Sequence, residues 1–164
     1  MRSILKVNWD CNLPIYAISQ LELQKKGIRS LLIDVDGTLV NRKSTKIPKD
    51  VKNWIRESKE LFSIYLISNN PSKKRIEKIA KELNVRYKYN ASKPRKKVTF
   101  SAIKEIGCKP KNIAIIGDRI FTDIIVGNRC NIKTILVKRL KRDGLPLKFN
   151  LTLTIEKLIS NFIK

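Results

Sequence analysis

Short apolar runs alternate with amphipathic stretches along the chain. Ser30 to Val35 (SLLIDV), Leu61 to Ile67 (LFSIYLI), Asn112 to Ile116 (NIAII) and Thr134 to Val137 (TILV) are strand-sized and largely apolar, as expected of strands buried on both faces. Val85 to Tyr89 is a weaker fifth strand. Between them the spacing is helical. Val51, Trp54, Ile55 and Ser58 share a face in Lys49 to Leu61, after Pro48. Ile76, Ile79, Ala80 and Leu83 form one stripe in Ser72 to Leu83, with Ser72 placed to cap it. Pro94 is placed to open a third helix, with Val98, Ala102, Ile103 and Ile106 inward and Gly107 at its end. This alternation predicts βαβ units, hence an α/β fold with a parallel five-stranded sheet flanked by helices.

Ligands of such sheets bind outside the carboxyl ends of the strands, and the chemically unusual residues fall there. Asp34 and Asp36 close the first strand, Ser68, Asn69 and Asn70 the second, Gly117 and Asp118 the fourth. Two carboxylates ending an apolar strand are unfavourable unless they are paired or hold a metal. Gly37 permits a turn at positive φ; a bare Asp-Gly turn explains neither the second aspartate nor the apolar run before it. Ser68-Asn69-Asn70-Pro71 reads either as a phosphate seat beside a helix start or as a turn and cap. Lys93 alone, among 36 Lys and Arg, says little. Gly117-Asp118-Arg119-Ile120-Phe121-Thr122-Asp123 adds two carboxylates, which alone also fit a surface loop. Together, Asp34, Asp36, Asp118 and Asp123 would converge on one rim. Carboxylates about 4 Å apart repel by about 4 kcal/mol at an effective dielectric of 20. A hard cation relieves this, and Mg²⁺ suits oxygen ligands. With Lys93 it would neutralise a phosphate dianion, and phosphoryl transfer needs chiefly such positioning and charge.

Composition narrows the chemistry. No histidine is present, which removes mechanisms built on a histidine base or ligand. Cys11, Cys108 and Cys130 are far apart and odd in number, so reduced thiols are expected. No apolar run approaches the roughly 20 residues of a membrane span, and MRSILKVNWDC lacks the apolar core of a secretory signal. The expectation is a cytoplasmic protein able to touch a membrane surface. The net charge of +22 favours anionic partners, or reflects a compositional bias toward Lys, Ile and Asn.

The order DxDGTL, then serine, then lysine, then GDxxxxD resembles the four motifs of the haloacid dehalogenase (HAD) superfamily, here spanning residues 34 to 123. The resemblance implies a Rossmann-like fold, Asp34 as nucleophile forming an aspartyl-phosphate, and Asp36 as general acid and base. It implies Ser68, Asn69 and Lys93 as phosphate holders. Mg²⁺ would be bound by Asp34, Asp118 and the Asp36 carbonyl, with Asp123 nearby. GIRSLLIDVDGTLV, LISNNPSKKRI, ASKP, IGDRIFTDIIVGNRC and TILVK are similar to the YqeG-like branch, which includes phosphatidylglycerophosphate phosphatases. Gly127-Asn128-Arg129 matches an element of that branch, which makes Arg129 either a substrate ligand or an ordinary helix-end arginine.

Only 31 residues separate Asp36 from Ser68, and 24 separate Ser68 from Lys93. Neither gap holds a further domain, so one capless domain over residues 1–164 with an open site is expected. Between Lys73 and Lys111 lie 14 Lys or Arg against 3 Glu, and a second basic run covers Lys138 to Arg142. Ile15, Ile18 and Leu21 or Leu23 form a stripe in Leu13 to Leu23 that fits the sheet's outer layer or, less well, a membrane surface. The reading is a Mg²⁺-dependent phosphatase acting on phosphatidylglycerophosphate. The expected partner is a phosphorylated substrate with an anionic phospholipid headgroup, with peripheral membrane contact and no obligate nucleic acid. The alternatives are a phosphatase for nucleotides or polynucleotide ends, and a non-catalytic nucleic-acid-binding module.

Overall fold

The computed structural model describes residues 4–42 and 44–140. The elements are β1 (Trp9–Asp10), α1 (Gln20–Lys25), β2 (Ser30–Ile33), α2 (Lys49–Lys59), β3 (Ser63–Ile67), α3 (Lys73–Leu83), β4 (Arg86–Lys88), α4 (Lys97–Ile106), β5 (Ile113–Gly117), α5 (Ile125–Arg129) and β6 (Lys133–Leu136). A wide π-type turn, Ile120–Ile124, leads into α5. The strands form one sheet in the order β1-β6-β5-β2-β3-β4, every pair parallel.

Two expectations need correction. The sheet has six strands rather than five. The extra one, β1, is two residues paired with Ile135 and Leu136, too short to carry a hydrophobic period. The third long helix starts at Lys97 instead of Pro94, because Ser92 to Pro94 form a turn. The αL cap at Gly107 (φ 74°) lies where it was expected.

Successive strand residues feed two cores. Leu31, Ile33, Ile64, Leu66, Ala114 and Ile116 pack with α1, α2 and α3; Leu32, Tyr65, Ile67, Ile113 and Ile115 pack with α4 and α5. Both faces are therefore covered, which is why the strands read as continuous apolar runs. Each fully buried Leu or Ile contributes roughly 1.5–3 kcal/mol. The stripe before β2 packs too: Ile15, Ile18 and Leu23 are buried, Leu21 is exposed, and Trp54 Nε1 donates to the Ile18 carbonyl at 2.8 Å.

The buried strand β2 has β3 on one side and β5 on the other, so the sheet switches direction there. The crevice at the carboxyl ends of these three strands is where such sheets hold ligands. Among the described residues no domain is inserted over it, and no helix is long and apolar enough to cross a membrane. Lys141 and Arg142 of the second basic run lie outside the described residues.

Candidate active site

Asp34 and Asp36 follow β2, Ser68 follows β3, and Asp118 follows β5. Lys93 comes from the turn before α4. Its Nζ donates to Asp34 Oδ1 and Asp123 Oδ1, each at 2.6 Å, and to the Ile67 carbonyl at 3.0 Å, which uses all three protons. Burial alone would pull this ammonium down, but Asp123 and Asp34 outweigh it and hold its pKa above the ordinary lysine value. Burial pushes the Asp34 carboxyl up to about 8, with Lys93 opposing and Asp123 and Asp118 adding to the rise. Burial and then Asp123 push Asp118 up to about 6, against the pull of Arg139.

One oxygen from each of Asp34, Asp118 and Asp123 lies within 4.8 Å of the others. Arg139 Nε donates to Asp118 Oδ2, whereas Asp118 Oδ1 is buried with no hydrogen-bond partner among the described residues. An orphaned carboxylate oxygen among other hard oxygen donors fits a divalent cation. Two glycines allow this crowding. A Cβ on Gly117 would lie 2.4 Å from Asp123 Cγ, and one on Gly37 (φ 98°) would lie 2.6 Å from Asp118 Oδ2.

The Asp36 carboxylate stands apart from that cluster. Its Oδ1 is 2.8 Å from Arg75 Nη2, and its Oδ2 accepts from Ser68 Oγ at 3.4 Å and Asn70 Nδ2 at 3.3 Å. Arg75 Nη2 also donates to the carbonyls of Ser44 (2.7 Å) and Asn41 (3.3 Å), fastening the loop after Asp36 to α3. An open cleft is lined by Asp34, Asp36, Ser68, Asn69 and Lys93. Asn69 does more than line it: its amide donates to the Lys93 carbonyl (2.9 Å) and accepts from the Lys93 N–H (2.7 Å).

Arg129 is not brought into the cleft. It is exposed, and its Nη1 donates to the Pro94 carbonyl at 3.0 Å, bracing the turn that carries Lys93. Its neighbours are structural as well. A Cβ on Gly127 would lie 2.5 Å from Thr134 Cγ2, and Asn128 Nδ2 donates to the carbonyls of Ile4 (2.7 Å) and Lys6 (2.9 Å). Sequence reasoning missed Arg75 and Arg139, which hold Asp36 and Asp118. Arg139 lay in a basic run read only as charge.

A model of the mitochondrial PGP phosphatase family matches residues 2–140. The chain belongs to that family. This family member is 29% identical over 138 residues to the probable phosphatase YqeG of Bacillus subtilis (strain 168), a match covering 83% of this chain and 80% of that one. It is 27% identical over 133 residues to phosphatidylglycerophosphate phosphatase 1, chloroplastic/mitochondrial, of Arabidopsis thaliana; the match covers 76% of this chain and 38% of the plant protein. Its fold is that of the magnesium-bound putative HAD-hydrolase YfnB from Bacillus subtilis, with a TM-score of 0.55 at 13% identity over 82% of this chain and 99% of that one. The family member is thus a phosphatase of the YqeG and PGP branch, a phosphoric monoester hydrolase. The non-catalytic binding module is set aside by the same match.

Proposed function

We propose that this chain, acting as one domain over residues 1–164, dephosphorylates phosphatidylglycerophosphate to phosphatidylglycerol with Mg²⁺ and an aspartyl-phosphate intermediate. The observation that carries the reading is the meeting of Asp34, Asp118 and Asp123 beside Lys93, with Asp36 held separately at the same cleft. Asp34, Asp118 and Asp123, with the Asp36 carbonyl, would hold the ion. When bound, it supplies positive charge to the phosphoryl oxygens.

The chain's own groups do the rest. The Asp34 carboxylate attacks phosphorus in line and the bond to the ester oxygen breaks. Asp36 gives a proton to the departing alkoxide and later takes one from the water that hydrolyses the acyl phosphate. Ser68 and the backbone beside it orient the phosphoryl group, Asn69 fixes the Lys93 backbone, and Lys93 offsets negative charge. The Asp36 carboxylate lies at the same cleft on Arg75, Ser68 and Asn70, apart from the acidic cluster, which leaves the ion to the other three aspartates.

The lipid substrate draws support from the family, from the open cleft and from the charge around it. Segment 73–111 carries 14 Lys or Arg, and Tyr89 and Phe100 are exposed within it. Each basic residue near an anionic bilayer contributes about 1 kcal/mol of attraction. The test is phosphate release from phosphatidylglycerophosphate in detergent micelles by wild type and Asp34→Asn, with and without Mg²⁺. Release that needs both Asp34 and Mg²⁺ is expected; good cleavage of small phosphate esters with none of the lipid defeats the reading.

A further inference from the structure

Arg139 follows β6, beyond the four motifs, and its Nε donates to Asp118 Oδ2. The segment that carries it is fixed to the two glycines beside the aspartates. Val137 N–H donates to the Gly117 carbonyl at 3.0 Å, and Leu140 N–H to the Gly37 carbonyl at 2.8 Å. Between them, Lys138 N–H donates to the Leu13 carbonyl at 2.9 Å. Leu140 is buried, and the Arg139 side chain is only 16% exposed. Gly37 leaves the pair its space: a Cβ there would lie 2.6 Å from Asp118 Oδ2 and 3.1 Å from Arg139 Nε. Arg139 does not line the open cleft, so contact with substrate does not account for it.

The contact decides how many oxygens Asp118 can offer. Oδ2 is held, and Oδ1 is buried with no hydrogen-bond partner among the described residues. The same division runs through the cluster, where Lys93 holds Oδ1 of Asp34 and Oδ1 of Asp123. Hard cations differ in what they ask of a carboxylate. Mg²⁺ demands a compact, near-octahedral shell, which the narrow bite of a chelating carboxylate distorts. Ca²⁺ is larger, takes about six to eight oxygens and accepts both from one carboxylate. For Asp118 to chelate, Oδ2 must leave Arg139 and give up a charge-assisted hydrogen bond in a buried place.

We infer that Arg139 is a positioning residue: it confines Asp118 to ligation through Oδ1 alone and so turns the site toward Mg²⁺ and away from Ca²⁺. This rests on the phosphatase reading of the cleft and on the metal that reading requires. It extends the site to a residue of the basic run after β6.

The test is calorimetric binding of Mg²⁺ and of Ca²⁺ to the full chain as wild type, Arg139→Gln and Arg139→Met. Glutamine Nε2 stands as many bonds from the backbone as arginine Nε, so Arg139→Gln keeps a donor and loses the charge. Arg139→Met loses both and keeps the unbranched stem. Loss of the nearby positive charge tightens both ions alike in both variants and cancels in the ratio of their dissociation constants. Wild type is expected to bind Mg²⁺ at least as tightly as Ca²⁺. The ratio should change little in Arg139→Gln and move about tenfold toward Ca²⁺ in Arg139→Met, the worth of one charge-assisted hydrogen bond. An equal move in both variants would make Arg139 a matter of charge alone. A ratio that moves in neither, whatever happens to Tm, would make it a structural brace. Either result overturns the inference and leaves the phosphatase reading intact. Tighter binding of Ca²⁺ than of Mg²⁺ by wild type also overturns it, with no variant needed should Arg139→Met fail to fold. Wild type that binds neither ion sinks the metal reading of the cluster as well.

Discussion

Lys93 is a buried ammonium with every proton committed, two of them to carboxylates. Lys93→Met keeps the apolar stem and removes the charge, leaving Asp34 and Asp123 facing each other. Breaking a buried pair from one side costs about 3–5 kcal/mol. Urea unfolding without metal should show a loss of that size, and Mg²⁺ should recover part of it by standing in for the ammonium. An unmoved midpoint would mean that Lys93 does not hold the carboxylates together. Gly117→Ala tests the same contact from the backbone. Its methyl would meet Asp123 Cγ at 2.4 Å, close enough that something must shift. Overpacking of this kind costs about 1–3 kcal/mol, and phosphatase turnover should fall at least about tenfold as Asp123 leaves Lys93. Wild-type turnover and stability in Gly117→Ala would show that the cluster tolerates a looser geometry. Asp34, Asp36, Ser68, Asn69 and Asp118 stand out as candidates in the sequence because they end strands, whereas Asp123 and Lys93 enter through the motif order of the resemblance. Arg75 and Arg139 do not stand out: each is one of 36 Lys and Arg, and only the folded chain brings it to its partner.

At the scale of elements, legibility followed burial. Strands covered on both faces announce themselves as apolar runs, and α2 and α3 by stripes whose residues are all buried. β1 has no such signature, since its place comes from pairing with β6. The start of α4 was misread because propensity lost to tertiary contacts. Asn69 grips the Lys93 backbone, Arg129 grips Pro94, and Arg95 N–H donates to the Ser92 carbonyl at 2.9 Å, so the turn runs past Pro94 before the helix begins. The brace from Arg129 separates two roles by experiment. If it supports the turn, Arg129→Ala should lower stability by about 1 kcal/mol, roughly 2–4 °C in Tm. It should also reduce kcat on every substrate by a similar factor. A raised KM for phosphatidylglycerophosphate with an unshifted Tm would instead make Arg129 a substrate ligand.

For the whole molecule, the acidic cluster couples folding, metal and pH. Asp34 is raised from 3.8 to about 8 and Asp118 to about 6, burial being the first cause of both. An acid whose folded pKa is raised gives stability that is complete below its unfolded value and lost as pH rises through the folded one. Between pH 6 and 8 the metal-free chain should therefore lose stability as Asp34 gives up its proton. Other shifted groups act elsewhere. Glu105, lowered from 4.5 to about 2 by hydrogen bonds from Lys88 and Tyr65, gives stability that disappears only as pH falls below about 4.5. Cys11, raised from 9.0 to about 12 by burial, acts only above pH 9. A divalent cation needs the carboxylates ionised, so its binding expels protons and strengthens as pH rises. At ten times its Kd, Mg²⁺ would add about 1.4 kcal/mol, roughly 3–5 °C in Tm. Thermal unfolding with and without Mg²⁺ should thus show a lower metal-free Tm at pH 8 than at pH 6, and a larger increment from Mg²⁺ at pH 8. In Asp118→Asn, which takes away one oxygen anion, the increment should shrink at both pH values. If Mg²⁺ stabilised the wild type equally at pH 6 and pH 8, protons and cation would not be competing for these aspartates, and the metal would have to sit elsewhere.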